Sequence, residues 1–163
     1  MLFRSLGLNG TQITDAGLVH LKGLTNLQTL NLEFTQITDA GLVHLKGLAN
    51  LQKLKIWGSK ITDAGTEHLK GLTRLQELSL WQTQITDAGI AQLAGMNLKE
   101  LHIPDQAKTD TGLKHYLAAI KPPTESRPLD GEVTDAGPAQ LSGMRQNAVD
   151  IPKACKTDPG VNE

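Results

Sequence analysis

A six-residue string returns along this chain at a fixed spacing: Ile13-Thr14-Asp15-Ala16-Gly17-Leu18, then Ile37-Thr38-Asp39-Ala40-Gly41-Leu42, then Ile61-Thr62-Asp63-Ala64-Gly65, then Ile85-Thr86-Asp87-Ala88-Gly89-Ile90, each step 24 residues. It weakens to Thr109-Asp110-Thr111-Gly112-Leu113, Val133-Thr134-Asp135-Ala136-Gly137 and Thr157-Asp158-Pro159-Gly160, making seven occurrences in 163 residues. A period between about 20 and 50 residues is the mark of a stacked repeat array, and it decides how every other feature is read. One unit cannot bury its own apolar face, so the units must stack.

Upstream of each string lies a second pattern, clearest in Leu27-Gln28-Thr29-Leu30-Asn31-Leu32-Glu33-Phe34-Thr35-Gln36-Ile37. Counting Leu27 as position 1, apolar residues fall at positions 1, 4, 6 and 11. The alternation at 4 and 6 predicts a short strand with one face buried. The same frame gives Phe3, Leu6, Leu8, Ile13 in the first unit, Leu51, Leu54, Ile56, Ile61 in the third and Leu75, Leu78, Leu80, Ile85 in the fourth. After each Thr-Asp, apolar residues recur every third position, as in Leu42, Leu45 and Leu48, which predicts a short helix capped by Thr38 or Asp39. A unit is therefore strand, turn, helix. Stacked units form a parallel strand ladder, and the bulkier helices curve the array so that the strand side is concave.

The pattern Leu27-x-x-Leu30-x-Leu32-x-x-Thr35-x-Ile37-Thr38-Asp39-Ala40-Gly41-Leu42-x-x-Leu45 resembles the leucine-rich repeats. The Ile-Thr-Asp-Ala-Gly-Leu string is similar to a subtype found in tandem arrays of some bacterial proteins and, with Cys at the ninth position, in F-box substrate receptors; here that position carries Thr11, Thr35, Ser59 and Thr83. The resemblance implies an α/β fold: a right-handed solenoid, or horseshoe, with parallel strands on the concave face and short helices on the convex face. It also implies ligand binding rather than catalysis. The hydroxyls at position nine are expected to bond backbone groups of the neighbouring turn.

Residues 1–117 read as regular repeats. In the fifth unit Leu98, Leu101 and Ile103 keep the strand while Gln106 and Lys108 take the ladder and core positions. Residues 118–163 read as a diverged, partly irregular and truncated repeat pair: Lys121-Pro122-Pro123-Thr124-Glu125-Ser126-Arg127-Pro128 lacks backbone donors, and Pro138 falls early in a former helix. Thr86 to Gly112 nevertheless aligns without gaps on Thr134 to Gly160, two units away. Both ends read as cut, which makes the chain a fragment of a longer array or a segment whose open ends stack on another copy.

On the strands, positions 3, 5 and 7 point away from the core. Position 7 brings Glu33, Trp57 and Trp81 together, position 5 brings Lys55, Ser79 and His102, and Phe34 follows at position 8 of the second unit. Three of the five aromatic residues thus gather on one concave stretch, with Glu33, Lys53, Lys55 and Glu77 as a rim of mixed charge. Exposed tryptophan on a concave surface is a common binding hot spot for a protein or peptide. The other reading leaves the rings as cover for the turn after the strand. Both stay open at this point.

Other function classes find little support. With 16 Lys and Arg against 17 Asp and Glu, and no basic run, nothing supplies the stripe that nucleic acid needs. No stretch has the length of a bilayer span. His20, His44, His68 and His115 each lie five residues after the motif Asp, but successive helices set them in a diverging row, so no metal site is expected. The repeated Asp is read as a cap, and Gly17, Gly41, Gly65 and Gly89 as close packing at the helix start rather than a phosphate loop. No nucleophile, base and stabiliser assemble, so no catalytic residue and no cofactor is assigned. The lone cysteine, Cys155, cannot pair within the chain, and no signal peptide is visible, which favours the cytoplasm.

Overall fold

The computed structural model describes residues 3–121. The expected repeat pair at 118–163, with Pro138 and Cys155, lies outside the described residues beyond Lys121. Five three-residue strands, β1 (Ser5–Gly7), β2 (Thr29–Asn31), β3 (Lys53–Lys55), β4 (Glu77–Ser79) and β5 (Glu100–His102), form one parallel sheet in chain order. Five helices alternate with them: α1 (Asp15–Leu18), α2 (Asp39–Leu42), α3 (Asp63–Leu69), α4 (Asp87–Ala91) and α5 (Asp110–Ala119). This is the α/β leucine-rich solenoid that the sequence predicts.

The register of the sheet is the sequence period itself. Leu6 pairs with Leu30, Leu30 with Leu54, Leu54 with Leu78 and Leu78 with Leu101. Each strand therefore sets its position-4 leucine against the same residue in the next turn, and Leu30, Leu54, Leu78 and Leu101 are all buried. Position 6 (Leu32, Ile56, Leu80) and position 11 (Ile37, Ile61, Ile85) complete the core of each turn. In the first described turn Phe3 is 53% exposed and Leu6, Leu8 and Ile13 are half-buried.

The helical segments explain the three-residue spacing. After α1 and α2 the chain tightens into 3₁₀ turns, Val19–Leu21 and Val43–Leu45. A 3₁₀ turn repeats every three residues, so Leu42, Leu45 and Leu48 fall on one face and are buried together. In α3 the helix stays α throughout, and the buried Thr66 hydroxyl donates to the Asp63 carbonyl at 2.7 Å.

Two expectations need correction. Thr38, Thr62 and Thr86 do cap their helices, each accepting from the N–H two residues on. The aspartate that follows does not cap; it reaches across to the next turn. Asp15 accepts from the Thr38 N–H at 2.8 Å and the Thr38 hydroxyl at 2.6 Å. Asp39 does the same to Thr62, and Asp63 to Thr86. The threonine is thereby an acceptor for its own helix and a donor to the previous turn's carboxylate.

The motif glycine makes room for this bond. A Cβ on Gly41, Gly65 or Gly89 would strike the Oδ1 of Asp15, Asp39 or Asp63 respectively. Thr-Asp-Ala-Gly is therefore an inter-turn fastening, with each carboxylate seated on the glycine of the next unit.

The position-nine hydroxyls also depart from expectation. Thr11, Thr35, Ser59 and Thr83 donate to Leu8, Leu32, Ile56 and Leu80, three residues back in their own turn, at 2.6–2.7 Å. A hydroxyl on Cβ is too short to cross to the neighbouring turn. The longer Gln106, at the same position in the fifth unit, does cross, and its Nε2 donates to the Thr83 carbonyl at 2.6 Å. Lys108, in a core position, keeps its stem covered and pairs with Asp105 at 2.8 Å. The end of α5 is tied to the fifth unit: Gly95 and Leu98 donate to Ala118 and Ala119, and Lys121 donates to Leu98.

Candidate functional site

The strands end in a left-handed turn. Position 8 has positive φ in each of the first four units: Gly10 (68°), Phe34 (53°), Gly58 (68°) and Gln82 (51°). There the backbone N–H still bonds the next turn, as Phe34 does to Trp57 at 2.8 Å and Gly58 to Trp81 at 3.0 Å. Glycine suits this geometry; a phenylalanine in it is uncommon and costs strain on the order of 1 kcal/mol.

The strained residue begins a continuous row of rings. Phe34 and Trp57 have centroids 4.9 Å apart at 51°, Trp57 and Trp81 5.7 Å at 88°, and Trp81 and His102 4.8 Å at 60°. These tilted and edge-on contacts are the preferred aromatic geometries. The Phe34 ring lies over Gly58, where an added Cβ would fall 2.7 Å from Cδ1. Phe34 is 52% exposed and Trp81 36%, while Trp57 between them is half-buried. The Trp57 Nε1 is buried without a hydrogen-bond partner among the described residues.

The rim of mixed charge is present, but in neutralised pairs. Lys53 meets Glu77 at 2.6 Å, directly across the β3–β4 register. Lys55 approaches Glu33 at 3.9 Å, and Glu33 is further held by Asn31, which donates to its carboxylate and accepts from its N–H. His102 bonds Glu100 at 2.7 Å. Ser79, expected on the open face, is buried. Its short side chain is flanked in register by the longer Lys55 and His102.

Asn31 and Glu100 were not singled out in the sequence, nor was His102 as a member of the ring row. The fifth unit carries Pro104 at position 7, so the row continues through position 5, where His102 pairs in register with Ser79. Position counting alone hides that shift.

Elsewhere the repeated polar residues are occupied in packing. Among the described residues no three His, Cys, Asp or Glu gather where they could hold a metal ion. His44 and His68 are half-buried with Nδ1 covered and unpartnered. Gln92, at the same place in the next unit, donates to the Asp63 carbonyl at 3.1 Å. No helix among the described residues is long and apolar enough to cross a membrane.

Comparison with known proteins agrees with the fold. The leucine rich repeat family profile matches residues 23–45. Among solved structures, an internalin (inlF) from Listeria monocytogenes is 34% identical with a TM-score of 0.55, covering 64% of this chain and 28% of its own. Internalin C2 (inlC2) from the same bacterium is 31% identical with a TM-score of 0.56, covering 73% of this chain and 50% of its own. The chain thus spans half or less of the length of these internalins. Their source agrees with the bacterial type of array that the repeat resembles. Among curated proteins, no sequence matches.

Proposed function

We propose, from the premise that this chain is a leucine-rich-repeat protein and so a protein-interaction module, that it is a non-enzymatic binder taking a protein or peptide on its open strand face. The observation that carries the reading is the row Phe34, Trp57, Trp81 and His102, four rings in mutual contact across four successive turns. The hydrophobic core makes no use of this face, and burying an exposed ring contributes roughly 2 kcal/mol. The left-handed Phe34 adds weight, because strain at a site the fold does not require points to a use elsewhere.

The lysines beside the row are each paired with a glutamate, Lys53 with Glu77 and Lys55 with Glu33, so what the row presents is chiefly an apolar strip. Catalysis has no comparable support: the repeated hydroxyls bond backbone carbonyls, and the repeated carboxylates of Asp15, Asp39 and Asp63 bond threonines.

The test is a pull-down from the native host's lysate with wild type beside a Trp57→Ala/Trp81→Ala variant, both checked by circular dichroism. A partner retained by wild type and lost by a folded variant supports the reading. Equal recovery refutes it. A second reading is end-to-end stacking of copies. It predicts a size in solution that grows with concentration and ignores the tryptophan changes.

A further inference from the structure

The opposite edge of the sheet has a different chemistry. Trp57 and Trp81 follow their strands; the residues that precede the strands, with the helix ends beside them, line a groove of about 840 Å³. That lies within the ~300–1,000 Å³ usual for ligand sites. Four cations line it, Lys70, Arg74, Lys99 and Lys121, together with Gln52 and Gln76, and no carboxylate and no aromatic ring does. All four cations are exposed. Among the described residues Lys70, Lys99 and Lys121 make no ion pair, and Arg74 donates only to the Asn50 amide oxygen, at 2.6 Å.

Helix dipoles explain part of this. Lys70 is the C-cap of α3, as Lys22 is of the first 3₁₀ turn and Lys46 of the second, and Lys121 follows the end of α5. They do not explain Arg74 and Lys99, nor why four like charges share one hollow without a counter-charge. Elsewhere on the sheet Lys53 and Lys55 each face a glutamate.

We propose that this groove is a second binding site, and that it takes an acidic peptide segment. Unpaired cations supply the complementary charge, and the two glutamine amides can both donate to and accept from a peptide backbone. With no ring to stack on and only four cations, the groove lacks what single-stranded nucleic acid uses. The proposal does not depend on the aromatic row, and the test keeps the two apart.

The probe is a fluorescein-labelled peptide of alternating glutamate and glycine, followed by anisotropy against the full chain at low salt. Its glutamine-for-glutamate counterpart is the neutral control. The expected result is binding of the acidic peptide alone, weakened about tenfold or more by Arg74→Glu/Lys99→Glu. Lys22→Glu, at an equivalent helix end outside the groove, should change affinity by less than about twofold. Trp57→Ala/Trp81→Ala should leave it unaltered. Arg74→Gln/Lys99→Gln, which removes charge without reversing it, should lower affinity in the same direction if the reversed variant fails to fold.

The proposal is overturned by equal loss in Lys22→Glu, which would mean diffuse attraction. It is also overturned by equal binding of the neutral peptide, by no binding, or by preference for inorganic phosphate, single-stranded DNA or phosphatidylserine vesicles over the acidic peptide.

Discussion

If the Asp-to-Thr fastening and the motif glycine form one device, mutations at the two must be coupled, and the Asp39–Thr62–Gly65 group gives the test. Asp39→Ala removes the acceptor of the Thr62 N–H (2.8 Å) and hydroxyl (2.6 Å). Hydrogen bonds to a charged group contribute about 1.5–3 kcal/mol each, and since this pair is only part-buried the expected loss for both together is about 2–3 kcal/mol. Gly65→Ala places a Cβ on the Asp39 Oδ1 and 2.9 Å from the Ile61 Cγ2. Overpacking of that kind costs about 1–3 kcal/mol, offset by at most about 1 kcal/mol from alanine's better helix propensity. Once Asp39 is alanine the carboxylate is no longer in the way, and only the crowding by Ile61 remains. The double variant should therefore be about 1–2 kcal/mol more stable than the sum of the single losses predicts. Gly71→Ala, where a Cβ meets nothing within 4 Å, serves as the uncoupled control. Urea denaturation of the four proteins, followed by circular dichroism with midpoint and slope compared, measures the cycle. Additivity within about 0.3 kcal/mol at unchanged slope would refute the device and leave glycine and aspartate as independent features.

Gln82 holds φ of 51° on the surface, so Gln82→Gly should raise stability by about 0.5–1 kcal/mol in the same urea assay; no gain would show that the left-handed turn carries no strain there. The phenol of Tyr116, the chain's one tyrosine, is raised above its ordinary value by burial and then by the negative charge of Glu100. Its folded pKa lies above its unfolded one, so its contribution to stability is complete below about pH 10 and is lost as pH rises through the folded value. Alkaline ultraviolet titration should place the phenolate midpoint above that of the urea-unfolded chain, and Glu100→Gln should lower it; coincident folded and unfolded curves would contradict the assignment. Gly58→Ala combines a positive φ with a Cβ against the Phe34 ring, and should both destabilise the chain and shift the tryptophan emission. Unchanged emission would mean that the ring does not rest on Gly58.

The repeat period carried most of the fold because in a parallel stack the sequence offset and the strand register are the same number: Leu30 opposes Leu54 since each is the fourth residue of its unit. Burial of positions 4, 6 and 11 follows from alternation alone. The polar groups were less legible. Thr38-Asp39 has the composition of a helix cap, and nothing in its spacing says that Thr38 caps while Asp39 reaches to Thr62. Thr35 and Gln106 occupy one position but bond different turns, because the outcome depends on side-chain length, not on pattern. Trp57 beside Trp81 was legible as two residues one period apart; His102 was not, since the fifth unit carries Pro104 at position 7 and its ring stands at position 5. The basic groove escaped because its cations come from a helix end, a loop, a strand approach and the end of α5, scattered over residues 70–121.

That contrast separates scaffold from function. Many of the residues that return at each period have a stacking role: leucines in the core, threonine and aspartate in the fastening, glycine beneath the carboxylate. Phe34 and Gln82 stand where Gly10 and Gly58 relieve the turn, and Trp57 and Trp81 stand where the first two units carry Asn9 and Glu33. Phe34 meets its strained backbone with a ring half in water, an arrangement that lowers stability unless something covers the ring. Phe34, Trp57 and Trp81 are exceptions that lie along one row, and the proposed binding reading rests on that row.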